Sequence, residues 1–200
     1  NLDEGLSANY VKNSDMTTLP YTEKVYQEQP YASKTISVNP YFIFEVEGIM
    51  QLTPNMDVWK DMKDRCNSEG VQPVLIMCDA LGDLGDADAT ARAKAVENHH
   101  AWVNIAQFLG AHTIRVNAAG KGTAEEVSAN AVDGLSKLGA YGASKGINVV
   151  VENHGGYSSD GSWLAGVMAA VNMENVGTLP DFGNFCMERT ADGCANEYDR

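Results

Sequence analysis

From Thr35 onward, short apolar runs alternate with longer amphipathic stretches, a rhythm that predicts successive strand–helix units around a parallel sheet. The runs TISVNPYF (35–42) and FEVEGIM (44–50) read as strands, the second followed by a helix over 56–70 that stops at Gly70. VQPVLIMCD (71–79) has the continuous apolar character of a buried strand, and 86–111 is a long alanine-rich helix that Asp86 or Asp88 can cap. HTIRVN (112–117) is the next strand. The helix over 123–146 opens with Thr123 and Glu126 at capping-box spacing. INVVVENHGG (147–156), the helix 162–172 and VGTLPDFGNF (176–185) complete a series of six strands.

Residues 1–34 are polar and dotted with tyrosines, without helical or strand period, and read as an irregular N-terminal arm ahead of a single βα domain over 35–200. The chain carries 14 Lys and Arg against 27 Asp and Glu, a formal charge of -13 that repels nucleic-acid phosphates and anionic lipid surfaces. Nucleic acid and membrane are thus excluded as expected partners. No apolar run nears the roughly 20 residues a spanning helix needs, so a soluble chain is expected, cytoplasmic or exported after loss of a leader. Among four cysteines, Cys66 and Cys78 fall in a helix and a strand as small hydrophobes, while Cys186 and Cys194 lie close together in a loop and are read as idle thiols, with pairing as the alternative for an exported protein.

Repeated βα units can form an open doubly wound sheet or part of a barrel. No GxGxxG turn follows any strand, which removes the dinucleotide-binding version of the open sheet and favours the barrel. In parallel βα folds the functional groups gather where strands end, because those loops vary freely. The strand ends here carry Asp79, then Arg115 and Asn117, then Glu152, Asn153 and His154, then Asp181 and Asn184. Glu152 leaves a buried NVVV run, and in an extended chain His154 shares its face. With Asp181 closing the next strand about 4.8 Å away, two carboxylates would repel unless a proton or cation lies between them. A hard dication suits them, Mn²⁺ or Mg²⁺, with Zn²⁺ also admitted. The competing reading pairs Glu152 with Arg115 and leaves Asp181 to cap a turn after Pro180. His99 and His100 sit within a helix beside Trp102 and His112 opens a strand at the opposite face, so none is assigned a function; the loop at Tyr157, Ser158 and Ser159 reads as surface.

The string VVVENHGG followed by VGTLPDFGNF resembles the sugar phosphate isomerase/epimerase family, the xylose isomerase-like barrels that include endonuclease IV relatives. The resemblance implies a (β/α) TIM-type barrel, here partial with about six of eight strands. It also implies Glu152 and Asp181 as two of four metal ligands, with Glu152 moving a proton next to a carbonyl of a ketose or aldose. His154, Arg115, Asn117, Asn153 and Asn184 would then face a small sugar substrate. Two departures stand out: Met50 falls where the family places an acidic residue, and no histidine follows Asp181. Unclosed sheet edges would be covered by the N-terminal arm or by a second copy in a homo-oligomer. Two other functions are carried as alternatives: a non-catalytic carbohydrate-binding partial barrel, and an endonuclease IV-like phosphodiesterase that the negative charge disfavours.

Overall fold

The computed structural model describes residues 41–45, 56–190 and 193–197; the expected arm at 1–34 and the Met50 position lie outside them. The order is β1 (Tyr41–Glu45), α1 (Met56–Ser68), β2 (Gln72–Met77), α2 (Ala89–Leu109), β3 (Thr113–Asn117), α3 (Ala124–Lys145) and β4 (Asn148–Glu152), then a 3₁₀ turn (Gly156–Ser159), α4 (Gly161–Val171) and β5 (Val176–Leu179). A hairpin of β6 (Cys186–Thr190) and β7 (Gly193–Glu197) follows. Strands β1 to β5 form one parallel sheet in sequence order. Each neighbour in space is a neighbour in sequence, the arrangement of a barrel wall rather than of a doubly wound sheet whose order reverses. Among the described residues no helix is long and apolar enough to cross a membrane.

Local signals set the helix ends. Asp88 caps α2 through bonds from the Thr90 and Ala91 amides, and Thr123 and Glu126 make a reciprocal capping box on α3. Gly110 and Gly146 end those helices in the left-handed region, at φ 84° and 70°, which glycine enters without a Cβ penalty. One strand, β1, lies across the break between the two apolar runs expected at 35–42 and 44–50. The β6–β7 hairpin occupies a stretch expected to be loop, and Cys186, expected as an idle thiol, is disulfide-bonded.

Side-chain alternation divides the sheet into two chemical faces. Ile76, Cys78, Ile114, Val116, Val149 and Val151 point into the helix layer and join its core with Trp59, Trp102, Leu135 and Leu138. By the same alternation the other face carries Met77 and Asp79 from β2 and the loop after it, Arg115 and Asn117 from β3, and Val150 and Glu152 from β4. The polar side chains thus fall in one row at the carboxyl ends. Cys78, on the core side, is sealed from solvent, and burial pushes its thiol well above the ordinary range.

Close backbone packing holds the loops at this end. A Cβ at Gly134 of α3 would sit 2.2 Å from the Leu84 carbonyl, and one at Gly120 would sit 2.2 Å from that of Gly85. The Gly85 amide also donates to Ala119 O at 2.7 Å, tying the β2–α2 loop to the β3–α3 loop. Because the obstacle is backbone rather than a flexible side chain, Gly134→Ala is expected to cost about 2 kcal/mol. Gly166→Ala is the contrasting case, since nothing lies within 4 Å of its Cβ position in α4; a stabilisation of about 0.5–1 kcal/mol is expected there. Urea midpoints of the two variants check both signs.

Candidate functional site

The row of polar groups opens into a cavity of about 430 Å³ lined by Met77, Asp79, Ala80, Arg115, Glu152, His154, Asp181 and Asn184. Arg115 is 1% exposed and Glu152 6%. Two charges so far from water are tolerated only with partners. Arg115 Nε donates to Glu152 Oε2, and Arg115 Nη1 donates to Asp79 Oδ1. Burial acts to lower the Arg115 pKa, and the hydrogen bonds and charges of Glu152 and Asp79 overcome it, so the guanidinium titrates above its ordinary value. It is a permanent cation between two carboxyl groups.

Strand register explains the meeting. Arg115 lies opposite Met77 on one side and Val150 on the other, and Asn117 lies opposite Glu152. The guanidinium therefore starts one inward-facing position below Asp79 and Glu152 and rises between them. Asn117 Nδ2 donates to Asp79 Oδ1 at 2.7 Å, while its Oδ1 is buried with no hydrogen-bond partner among the described residues.

Asp181 is two residues beyond β5, whose last residue, Leu179, lies opposite Glu152. It is drawn back by Asn153, which is fully buried: the Asp181 amide donates to Asn153 Oδ1 at 2.6 Å, and Asn153 Nδ2 donates to Asp181 O at 2.8 Å. This two-point amide clamp fixes where the β5 end turns. The Asp181 carboxylate then accepts from the Gly183 amide at 2.7 Å and from Asn184 Nδ2 at 3.0 Å. Asn184 Nδ2 also reaches Glu152 Oε1 at 3.3 Å. Two carboxylates from neighbouring strands hence converge on a single amide nitrogen. His154 lines the cavity by another route than continued extension, since its amide donates to Glu152 O at 2.9 Å in a tight turn and its side chain stands exposed.

Of the two readings of the acids, the structure contains the pairing of Glu152 with Arg115 and the turn at Asp181. Each acid also presents a second oxygen to one small volume. Asp79, which the sequence placed at a strand end without a role, is brought into the cavity as the second partner of Arg115. Ala80, next to it, has φ 55°, a left-handed conformation unusual outside glycine. His100 faces α3, stacking on Tyr141 with ring centroids 3.7 Å apart, and His99 is buried with Nδ1 2.7 Å from the Ala95 carbonyl. Tyr157 stacks on Trp163 and donates to Gly122 O at 3.0 Å, so the loop it belongs to is tied down.

A sheet of sequential parallel βα units, with its buried polar groups and cavity at the strand ends, defines part of a (β/α) barrel. The family model for xylose isomerase-like TIM barrels matches residues 44–199, and the chain belongs to that family. A model for a domain of unknown function matches residues 4–65. No curated protein matches the chain. Among solved structures, a D-tagatose 3-epimerase-like protein superposes with a TM-score of 0.65 at 16% identity, covering 80% of this chain and 63% of that one. A 3-keto-D-glucoside 4-epimerase from E. coli gives 0.60 at 15%, covering 70% and 58%. A xylose isomerase-like TIM barrel protein from Mycobacterium smegmatis in complex with magnesium gives 0.57 at 16%, covering 72% and 52%. The chain thus spans from about half to under two thirds of the length of these structures, and at such identities the likeness establishes the fold alone.

Proposed function

We propose that the chain carries the metal-holding and sugar-holding side of an epimerase or isomerase that moves a proton beside a carbonyl group. The observation that carries this reading is the convergence of Glu152 Oε1 and Asp181 Oδ2 on one donor within a polar cavity. Two anionic oxygens aimed at the same point fit a hard dication, Mn²⁺ or Mg²⁺, as two of its ligands. Among the described residues no third His, Cys, Asp or Glu joins them. The names of the epimerases above and the magnesium in one of those structures agree with the reading.

When bound, the ion would polarise the sugar carbonyl. Glu152 takes the proton from the adjoining carbon, the C–H electrons pass toward the carbonyl oxygen, and Glu152 returns the proton to the neighbouring carbon in an isomerisation, while an epimerisation takes its proton from a second acid on the opposite face. Arg115 fixes the orientation of the Glu152 carboxylate. His154 and Asn184 contact the sugar hydroxyls from the cavity wall, with Asn117 and Asn153 supporting from behind. One observation favours a second reading, a non-catalytic sugar-binding barrel: the Glu152 and Asp181 oxygens already hold hydrogen bonds to Arg115, Asn184 and Gly183.

The deciding experiment follows exchange of ketose α-protons into deuterated solvent by NMR with added Mn²⁺. Exchange is expected for at least one member of a ketose panel, with Glu152→Gln slowing it by about 10²–10⁴-fold. Absence of exchange across the panel, together with calorimetric sugar binding indifferent to Mn²⁺, would establish the binding barrel instead.

A further inference from the structure

An arginine beside a lone carboxylate prefers to grip both oxygens at once, in two parallel N–H···O bonds. Arg115 does not do so with Glu152. Only Nε engages it, through Oε2, while Nη1 is turned to Asp79. Glu152 Oε1 is left to point at Asn184 Nδ2, the same nitrogen that Asp181 Oδ2 accepts from. A two-point grip would add Nη2 to Nε on the Glu152 side, so the free face of Glu152 depends on how the plane of the guanidinium is held.

We infer that Asp79 is a positioning residue: by holding Nη1 of Arg115 it fixes the plane of the guanidinium, so that Nη2, the nitrogen that would join Nε in a two-point grip, stays off Glu152 Oε1 and that oxygen stays aimed into the cavity. Several features brace Asp79 for this task. Asn117 Nδ2 donates to the same Oδ1 that Arg115 uses, so the oxygen is fixed from two sides. The Cys78 amide donates to Arg115 O at 2.8 Å, which anchors the backbone immediately before Asp79 to the strand that carries Arg115. Ala80 leaves Asp79 with φ 55°, and the next turn is held by Asn98 Nδ2 donating to Leu81 O at 2.9 Å. Strain of this kind persists only where the surroundings over-determine it. The side chain of Asp79 is 16% exposed and that of Arg115 1%, so water competes little for the pairing.

Asp79 needs no contact with substrate in this role. It acts through Arg115, and its removal alters the geometry of Glu152 rather than the number of charges at the carboxylate itself. With Asn in its place, the neutral side chain pulls more weakly on Nη1, and the guanidinium rotates so that its Nε edge takes Glu152 by both oxygens.

The inference rests on the proposed use of Glu152 as a ligand, and the experiment separates the two. A crystal structure of Asp79→Asn, without metal, decides the inference: Glu152 Oε1 is expected to leave Asn184 and join Oε2 on Arg115. If Oε1 stays within hydrogen-bond distance of Asn184, the inference is wrong. Should that variant not fold, Asp79→Glu and the wild type are compared by ¹⁵N NMR of the Asn184 side-chain amide and the Arg115 Nε. Retained charge is expected to leave both signals near their wild-type positions, and loss of the Glu152–Asn184 contact in Asp79→Glu overturns the inference. Mn²⁺ titration by electron paramagnetic resonance then tests the reading beneath it: binding by the wild type that weakens about 10–100-fold in Asp79→Asn and recovers in Asp79→Glu supports both. A wild type that binds no Mn²⁺ removes the ligand role of Glu152 while leaving the crystallographic result to stand.

Discussion

Replacing Arg115 with leucine is expected to destabilise the protein by about 3–5 kcal/mol, the largest effect of any single substitution considered. The side chain is 1% exposed and serves two carboxylates whose own side chains are 16% and 7% exposed. Leucine leaves Asp79 and Glu152 buried without their cation, in a place where water can do little to replace it. It also strands Asn117 and Asn184 beside mutually repelling acids. Most of the loss comes from those orphaned charges rather than from the value of the ion pair itself. The triple variant Asp79→Asn, Arg115→Leu, Glu152→Gln is therefore expected to recover much of the stability, because neutral amides can satisfy one another. Urea unfolding of the single and triple variants measures the difference. An Arg115→Leu midpoint close to wild type, or a triple variant as weak as the single one, would contradict the assignment of a buried charge network.

What could be read from the sequence divides by the range of the interactions. The capping box at Thr123 and Glu126 needs residues three apart, and the structure contains it. The parallel barrel wall follows from repeated apolar runs separated by helical stretches, and the buried valines of β4 emerge at Glu152 for the same reason. The joint between Asp79, Arg115 and Glu152 depends on lateral register across three strands, which no local pattern encodes. Asn153 is a similar case. Its neighbours mark it as a strand-end polar residue, yet only the chain path after β5 reveals that its amide clamps the Asp181 backbone. The β6–β7 hairpin escapes a pattern reading because CMERT and GCANE lack the alternating β-branched or aromatic residues of a half-buried strand. Asp192, followed by Gly193 at the start of β7, is the available turn signal. His154 shows a limit of period-two reasoning: the chain turns tightly after Glu152, and the residue still reaches the cavity.

Acidification is expected to remove about 3 kcal/mol of stability between pH 6.5 and 4 through His99 alone. His99 lies on the buried face of α2, 3% exposed, with Nδ1 2.7 Å from the Ala95 carbonyl. Burial pushes its pKa down to about 4, against the Ala95 hydrogen bond, with the neighbouring His100 adding to the decrease. In the unfolded chain the same imidazole takes up its proton near 6.5. Between those two values the unfolded state binds a proton that the folded state refuses, so unfolding gains as pH falls. The contribution is complete above pH 6.5 and gone below about 4. His100, whose pKa is lowered chiefly by burial, acts in the same direction. His99→Asn preserves a donor to the Ala95 carbonyl without a titrating ring. At pH 7.5 the variant is expected to be the less stable protein, because the ring no longer fills its site. Toward pH 4.5 its urea midpoint should fall less steeply than that of the wild type, and the two curves should approach one another. Curves that stay parallel over this range would show that His99 takes up its proton within the fold, contrary to its burial in the core.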